Sequence, residues 1–149
     1  LRDIMDLYNQ TDGGAQIGHA GTFNANPVTM RAGEVVMNTL TPEAYSRMND
    51  LGEILRSKLK AVFDELNIEV QVTGIGSLFG VHFTGEHIQN YRNVVNADTD
   101  MKKAFFFGML NEGILLQGGA AGSLNICTTE EHVDNFVDSA RKVVIRISK

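Results

Sequence analysis

A glycine-rich segment near the N-terminus carries the residue types best suited to holding an anion. Gly18 and Gly21 let the backbone approach a ligand closely, and Thr22 adds a hydroxyl group. Asn26 and Pro27 then form a strong helix start, with an N-cap side chain before proline at the first helical position. A bound phosphate would meet backbone N–H groups, a hydroxyl and a nearby helix N-terminus. The residues alone leave two interpretations open, a phosphate-binding loop or a plain connection between domains.

A second glycine cluster, around Gly74 and Gly76, is superficially similar to a dinucleotide-binding fingerprint. That fingerprint requires a helix directly after the glycines, so that the helix N-terminus can meet the pyrophosphate. The residues after Gly76 instead alternate as a strand does. The cluster therefore predicts a β-hairpin turn and excludes a dinucleotide site.

The histidines and the single cysteine lack the spacing of a metal site. Neither a helical His pair four residues apart nor a paired-cysteine motif is present among His19, His82, His87, His132 and Cys127. No metal is therefore expected. Cys127 lies in an apolar run, which favours a small core residue over a nucleophile.

Helical periodicity dominates the chain. Residues 1–8 and 100–112 each predict a helix, and a helix from Pro27 to Leu40 follows Asn26. Residues 42–67 keep a three-to-four spacing of apolar residues, and a last helix starts after Thr128 or Thr129. The predicted buried side of the helix from Pro27 is Val28, Ala32, Val35, Val36 and Leu40.

After residue 67, the spacing of apolar residues changes from the 3.6-residue period of a helix to the two-residue period of a strand. Residues 68–72 and 77–83 alternate as two strands of an antiparallel hairpin, and residues 114–117 and 123–127 predict two further short strands. Residues 85–98 show no period and predict an extended loop. The order of elements predicts an α+β fold, a small antiparallel sheet covered by helices. Residues 41–149 are expected to form that domain, whereas residues 1–40 look like the tail of another domain.

Length, charge and cysteine content narrow the function class. The 149 residues are about one domain, and a formal net charge of −5 argues against a nucleic-acid partner. No apolar run is long enough to cross a bilayer, so no membrane partner is expected. One cysteine and no apparent secretory signal favour a cytoplasmic protein. The first residue is Leu1 rather than methionine, which predicts a fragment.

Several segments resemble one enzyme family in the same order. The segment from Ala20 to Gly33, which reads AGTFNANPVTMRAG, resembles the end of the large domain of class III, pyridoxal-phosphate-dependent aminotransferases. Residues 73–83, 110–114 and 128–134 resemble the hairpin, a helix-to-strand turn and the last helix of the family's small domain. The resemblance covers nearly the whole chain, and it is strongest to the glutamate-1-semialdehyde 2,1-aminomutases.

The resemblance implies a cofactor and a partial site. Family members hold pyridoxal phosphate (PLP) as a Schiff base on a lysine that precedes the Ala-Gly-Thr segment, and residues 1–57 of this chain contain no lysine. The chain is therefore expected to lack any catalytic residue, to be inactive alone and not to retain PLP. In the family's homodimers, the positions of Gly21 and Thr22 reach the phosphate of the partner subunit's PLP, with Phe23 as a neighbour.

The small domain of the family covers the active site and helps to select an amino compound. By analogy, Ser77, Leu78, Gln117, Gly118 and Gly119 face the substrate. Aminomutases carry a carboxylate in the segment that matches residues 117–122, and none is present here. A transaminase therefore fits as well as a mutase or better, and the missing N-terminal large domain is the expected partner. The alternative is a stand-alone, non-catalytic α+β regulatory or interaction module.

Overall fold

The computed structural model describes residues 2–9, 16–18 and 21–148 of the chain, which divides into two units, residues 1–39 and 40–149. The second unit contains the sheet and the buried core. Each unit has its own helices.

Three long helices build the unit of residues 40–149. Helix α3 spans Pro42–Glu65, and the Thr41 hydroxyl caps it by accepting a hydrogen bond from the Ala44 N–H at 3.2 Å. Helix α5 spans Thr99–Asn111, and helix α6 spans Glu130–Ile147 with Thr129 as its N-cap. Helix α6 packs against both α3 and α5, which makes it the centre of the helical layer. The three helices confirm the periodicity of the sequence.

A three-stranded antiparallel sheet forms the other layer. Strands β1, Gln71–Thr73, β2, Leu78–His82, and β3, Ala121–Ser123, lie in the order β1-β2-β3. Helix α3 packs against β1 and β2. The predicted hairpin and the α+β class are confirmed.

Aromatic rings fill the space between the layers. Phe63 of α3, Phe83 after β2 and Phe105 of α5 meet edge to face, with ring centroids 5.7 to 6.4 Å apart. The remaining members of this core are apolar side chains from α3, β2, α5, the segment before β3, and α6: Leu51, Leu55, Leu59, Val62, Phe79, Val81, Met109, Leu116, Ala120, Val133, Val137, Ala140, Val143 and Val144.

The prediction of two strands at residues 114–117 and 123–127 is wrong. Only β3 forms a regular strand here, and Gln117 makes an isolated bridge to Ala121. Asn125 ends the strand because its side-chain oxygen accepts the Cys127 N–H at 2.8 Å and closes a turn. Cys127 is consequently exposed, and the prediction that it is a core residue is wrong as well.

A short helix interrupts the predicted loop of residues 85–98. Helix α4 spans Tyr91–Val95, with Asn90 as its N-cap. The Asn90 side chain accepts the Arg92 N–H at 2.9 Å, and the Asn93 side chain accepts the Asn90 N–H at 3.3 Å. Reciprocal capping by two asparagines stabilises this short helix. Because it has no regularly spaced apolar residues, the periodicity of the sequence does not predict it.

The unit of residues 1–39 contains helices and turns among its described residues. Helix α1 spans Arg2–Asp6, and helix α2 spans Pro27–Thr39. Both helices were predicted, but the predicted burial of α2 is wrong. Val28, Ala32, Val35 and Val36 are exposed, and Leu40, directly after the helix, is only half-buried. The five-residue α1 and the described turns of this unit leave that face uncovered.

Candidate functional site

The predicted phosphate-binding turn is built by hydrogen bonds among its own residues. The Asn24 N–H donates to the Gly21 carbonyl at 3.1 Å, and the Asn26 N–H donates to the Phe23 carbonyl at 3.2 Å. The Asn26 side-chain oxygen then accepts the Val28 N–H at 3.0 Å and starts α2. The residues before this turn, His19 and Ala20, lie outside the described part of the chain.

Hydrogen-bond donors remain available on this turn. Within the described residues, the backbone N–H groups of Thr22 and Phe23 and the Thr22 hydroxyl have no hydrogen-bond partner. A Cβ atom at Gly21 would lie 2.9 Å from the Asn24 side-chain oxygen, so glycine allows this side chain to approach the backbone closely. The Phe23 ring is exposed. Two backbone donors and a hydroxyl on one tight turn can hold a phosphate.

The residues predicted to face the substrate form two groups at opposite ends of β2. Ser77 and Leu78 lie at the start of β2, where Leu78 pairs with Ser123. Gly118 and Gly119 belong to the turn before β3, and the next residue, Ala120, accepts the Val81 N–H at 3.0 Å near the other end of β2. The structure therefore brings Gln117, Gly118 and Gly119 together but separates them from the first group.

Helix α3 fixes the hairpin turn that carries Ser77 and Leu78. The Arg56 guanidinium donates to the carbonyl oxygens of Gly76 at 2.7 Å and Leu78 at 2.8 Å. Gly52 allows the turn to lie directly on the helix, because a Cβ atom there would be 2.1 Å from the Gly76 carbonyl oxygen. Leu78 is exposed beside this rigid turn, where it can contact a ligand or a neighbouring domain.

A half-buried imidazole, that of His82, lies near the end of β2. His82 Nε2 is 3.0 Å from the Thr73 hydroxyl, and His82 Nδ1 is buried without a hydrogen-bond partner in the described part of the chain. Burial lowers the pKa of His82, and the positive charge of Lys102 lowers that pKa further. The sequence placed His82 in a strand without a chemical role, and no spacing linked it to Lys102, which is twenty positions away.

Known enzymes match the chain over nearly its full length. Glutamate-1-semialdehyde 2,1-aminomutase from Methanothermobacter thermautotrophicus is 32% identical over 145 residues, which are 96% of this chain and 34% of that enzyme. The crystal structure of an omega-transaminase from Sphaerobacter thermophilus superposes with a TM-score of 0.79 and 32% identity, over 99% of this chain and 34% of that one. A beta-phenylalanine aminotransferase from Variovorax paradoxus gives a TM-score of 0.77 and 30% identity, over 98% and 34%.

The chain matches the C-terminal third of class III, pyridoxal-phosphate-dependent aminotransferases in sequence and in fold. It spans about a third of the length of the relatives it matches. No protein-family model matches the chain. Matched aminotransferase-family structures include a transaminase with PLP bound and an aminomutase in complex with PMP.

The described residues fit the phosphate end of PLP but not its covalent attachment. The Gly21–Thr22 turn offers a phosphate donors that have no partner in residues 2–9, 16–18 and 21–148. The lysines of the described residues all lie on helices of the unit 40–149. Lys58 pairs with Asp134, Lys60 with Asp64 and Lys103 with Asp100. Lys102 and Lys142 lie on α5 and α6, and residues 1–57 contain no lysine.

The described residues contain neither a metal-binding cluster nor a membrane-spanning helix. In residues 2–9, 16–18 and 21–148, no three His, Cys, Asp or Glu side chains come close enough to hold a metal ion together. The same residues contain no helix that is both long and apolar enough to cross a bilayer.

Proposed function

We propose that the chain supplies the C-terminal third of a PLP-dependent enzyme that transfers an amino group. The observation that carries this proposal is the match to aminotransferase-family enzymes across both units of the chain, at 30% to 32% identity. The proposal takes residues 1–40 as the tail of the large, cofactor-binding domain and its interdomain helix. Residues 41–149 are then the small domain.

The small domain covers the active site in this proposal. Ser77 and Leu78 contact the substrate from the hairpin turn that Arg56 fixes on α3, and Gln117, Gly118 and Gly119 contact it from the second turn. The rigidity of the first turn supports this role, because side chains that select a substrate must be held in place by their surroundings. The separation of the two turns along β2 means that each contacts a different part of the ligand or of the large domain.

Gly21 and Thr22 bind the phosphate of PLP in the proposed enzyme, across the interface of a homodimer. The N–H groups of Thr22 and Phe23 and the Thr22 hydroxyl, which have no partner among the described residues, support this role, because each donor to a phosphate dianion forms a charge-assisted hydrogen bond. PLP supplies the electron sink for amino transfer when it is bound. The residues of this chain then anchor the phosphate and do not take part in the chemical step.

The proposed activity requires residues that this chain does not contain. A lysine that attaches PLP has to precede the Gly21–Thr22 turn in the family's order, and residues 1–57 contain none. The purified 149-residue chain is therefore expected to neither retain PLP nor transfer amino groups. Amino transfer by the purified chain would contradict this part of the proposal.

The segment of residues 117–122, which includes the start of β3, favours transfer between two molecules over a mutase reaction. Its residues are Gln117, Gly118, Gly119, Ala120, Ala121 and Gly122, without a carboxylate. The aminomutases resembled by the sequence carry a carboxylate in the matching segment, whereas a transaminase does not depend on it. A substrate with an amino group, of either amino-acid or amine type, is proposed.

A chimera tests the proposal directly. The C-terminal third of the Sphaerobacter thermophilus omega-transaminase is replaced with this chain, and the product is assayed for PLP absorbance and for amino transfer from a panel of amines and amino acids. The expected result is a folded, PLP-containing enzyme with measurable transfer. A folded, dimeric chimera that binds PLP but transfers no amino group would contradict the proposal and favour a non-catalytic module.

A further inference from the structure

A cavity of about 450 Å³ lies between the first half of α5 and the turn before β3. The phenyl rings of Phe106 and Phe107 form its apolar wall. They meet edge to face, with ring centroids 5.3 Å apart. Its other lining residues are Thr99, Lys102, Lys103, Gly118 and Gly119. An apolar wall with a few convergent polar groups is the usual composition of a small-molecule site.

The ammonium group of Lys102 lies at this cavity without a counter-charge. Within the described residues, Lys102 Nζ has neither a hydrogen-bond acceptor nor a carboxylate in ion-pair range, whereas Lys103 pairs with Asp100. Lys102 is only partly exposed, so water screens its charge incompletely. The same charge, after burial, helps to lower the pKa of His82 and so disfavours a second positive charge on that ring. The cavity thus has a net unpaired positive charge from one lysine.

The glycine turn supplies further donors on the opposite wall. The N–H groups of Gly118 and Gly119 have no acceptor among the described residues. Gly119 has a φ of +118°, and a Cβ atom there would lie 3.2 Å from Lys102 Nζ. Glycine at this position therefore keeps the backbone and the ammonium group close together. Adjacent unpaired N–H groups beside a cation are a common arrangement for holding an anion.

We propose that this cavity binds a small carboxylate compound with an aromatic body. Lys102 Nζ and the N–H groups of the glycine turn receive the carboxylate, and the rings of Phe106 and Phe107 pack on the aromatic body. All seven lining residues belong to residues 40–149, and binding requires no cofactor. Because the proposed function also assigns Gly118 and Gly119 to substrate contact, this proposal rests on it and names the class of compound bound there. The titration involves no amino transfer, so its failure is distinguishable from failure of the chimera to transfer amino groups.

A titration of the 149-residue chain with 3-phenylpropionate, followed by two-dimensional NMR of the backbone amides, tests the proposal. Saturable shifts at millimolar ligand are expected at Gly118, Gly119 and residues 102–107. The neutral analogue 3-phenylpropan-1-ol should bind at least about tenfold more weakly, because its hydroxyl has no negative charge to pair with the Lys102 ammonium. Equal binding of acid and alcohol, or shifts confined to other residues, would overturn the proposal.

Two pairs of variants make the test specific. Lys102→Met should weaken 3-phenylpropionate binding about tenfold, whereas Lys142→Met, on the exposed surface of α6, should not change it. Gly119→Ala places a methyl group at the ammonium and should weaken binding, whereas Gly118→Ala meets no atom within 4 Å and should weaken it less. Unchanged affinity in a folded Lys102→Met variant would overturn the proposal.

Discussion

Helices α2 and α3 begin with the same chemistry and have different surroundings. Asn26 and Pro27 start α2, and Thr41 and Pro42 start α3. Both carry apolar residues at helical spacing, and both were predicted to bury one face. Helix α3 buries seven residues in the core of the unit 40–149, whereas α2 buries none. Periodicity therefore identifies the apolar face of a helix, but the neighbouring chain decides whether that face is covered.

The largest expected difference between the two helices comes from shortening a side chain on each. Leu59 of α3 is 0% exposed, whereas Val36 of α2 is 53% exposed. Leu59→Ala should lower the free energy of unfolding by about 2–5 kcal/mol, because it leaves a cavity in the core. Val36→Ala should change it by less than about 0.5 kcal/mol. Urea unfolding measures both, and a Val36→Ala cost similar to that of Leu59→Ala would show that α2 is covered.

Glycines in the middle of each helix give a smaller but sharper contrast. A methyl group at Gly52 of α3 would meet the Gly76 carbonyl oxygen at 2.1 Å, whereas one at Gly33 of α2 meets nothing within 4 Å. Gly52→Ala should destabilise the unit 40–149 by about 1–3 kcal/mol through overpacking. Gly33→Ala should instead increase helix content, because alanine favours a helix by up to about 1 kcal/mol over glycine.

Circular dichroism and thermal unfolding distinguish these two glycine variants. A neutral Gly52→Ala would mean that the hairpin turn does not lie on α3. A strongly destabilising Gly33→Ala would mean that another surface packs closely on α2.

The smallest expected effect is a dependence on pH that belongs to the unit 40–149 alone. The pKa of His82 lies below its ordinary value of 6.5, because burial and then the charge of Lys102 disfavour the protonated ring. As the pH falls, the His82 imidazole is therefore protonated in the unfolded chain at a higher pH than in the folded chain. The contribution of neutral His82 to the free energy of unfolding is fully present above about pH 6.5. It decreases as the pH falls through the lower pKa that His82 has in the folded state.

Chemical unfolding between pH 7.5 and about 5 measures this slope. His82→Gln should reduce the slope, and the matched variant His87→Gln, at an exposed position, should leave it unchanged. Helix α2 should show no change in helicity over the same range. An unchanged slope in His82→Gln would contradict the assigned direction of the pKa shift.

The long helices and the hairpin could be predicted from the sequence because their patterns are long and regular. Apolar residues from Met48 to Phe63 define α3, and the glycines at 74 and 76 define the turn between β1 and β2. The strand at the edge of the sheet was predicted less accurately. Residues 114–116 and 124–127 are apolar enough for strands, but the side chain of Asn125 closes a turn that no short apolar run reveals.

The two candidate sites differ in the same respect, because the sequence predicts one of them and only the fold reveals the other. The Gly21–Thr22 turn is a local motif, so the sequence alone is enough to select its residues. The cavity with Lys102 depends on α5 and the 118–119 turn coming together, and these segments are separated by about fifteen positions of sequence. Lys102 itself follows the pattern of a solvated surface lysine, and only the fold places it against Gly119.

The affinity of the chimeric transaminase for PLP, measured with variants of Thr22, tests the central claim most directly. Thr22→Ala should raise the dissociation constant of PLP by about ten- to a hundredfold, since it removes a hydrogen bond to a charged phosphate. Thr22→Ser keeps the hydroxyl and should bind PLP nearly as tightly as the unsubstituted chimera. Equal PLP affinity of a folded Thr22→Ala chimera would contradict the account that this turn anchors the cofactor.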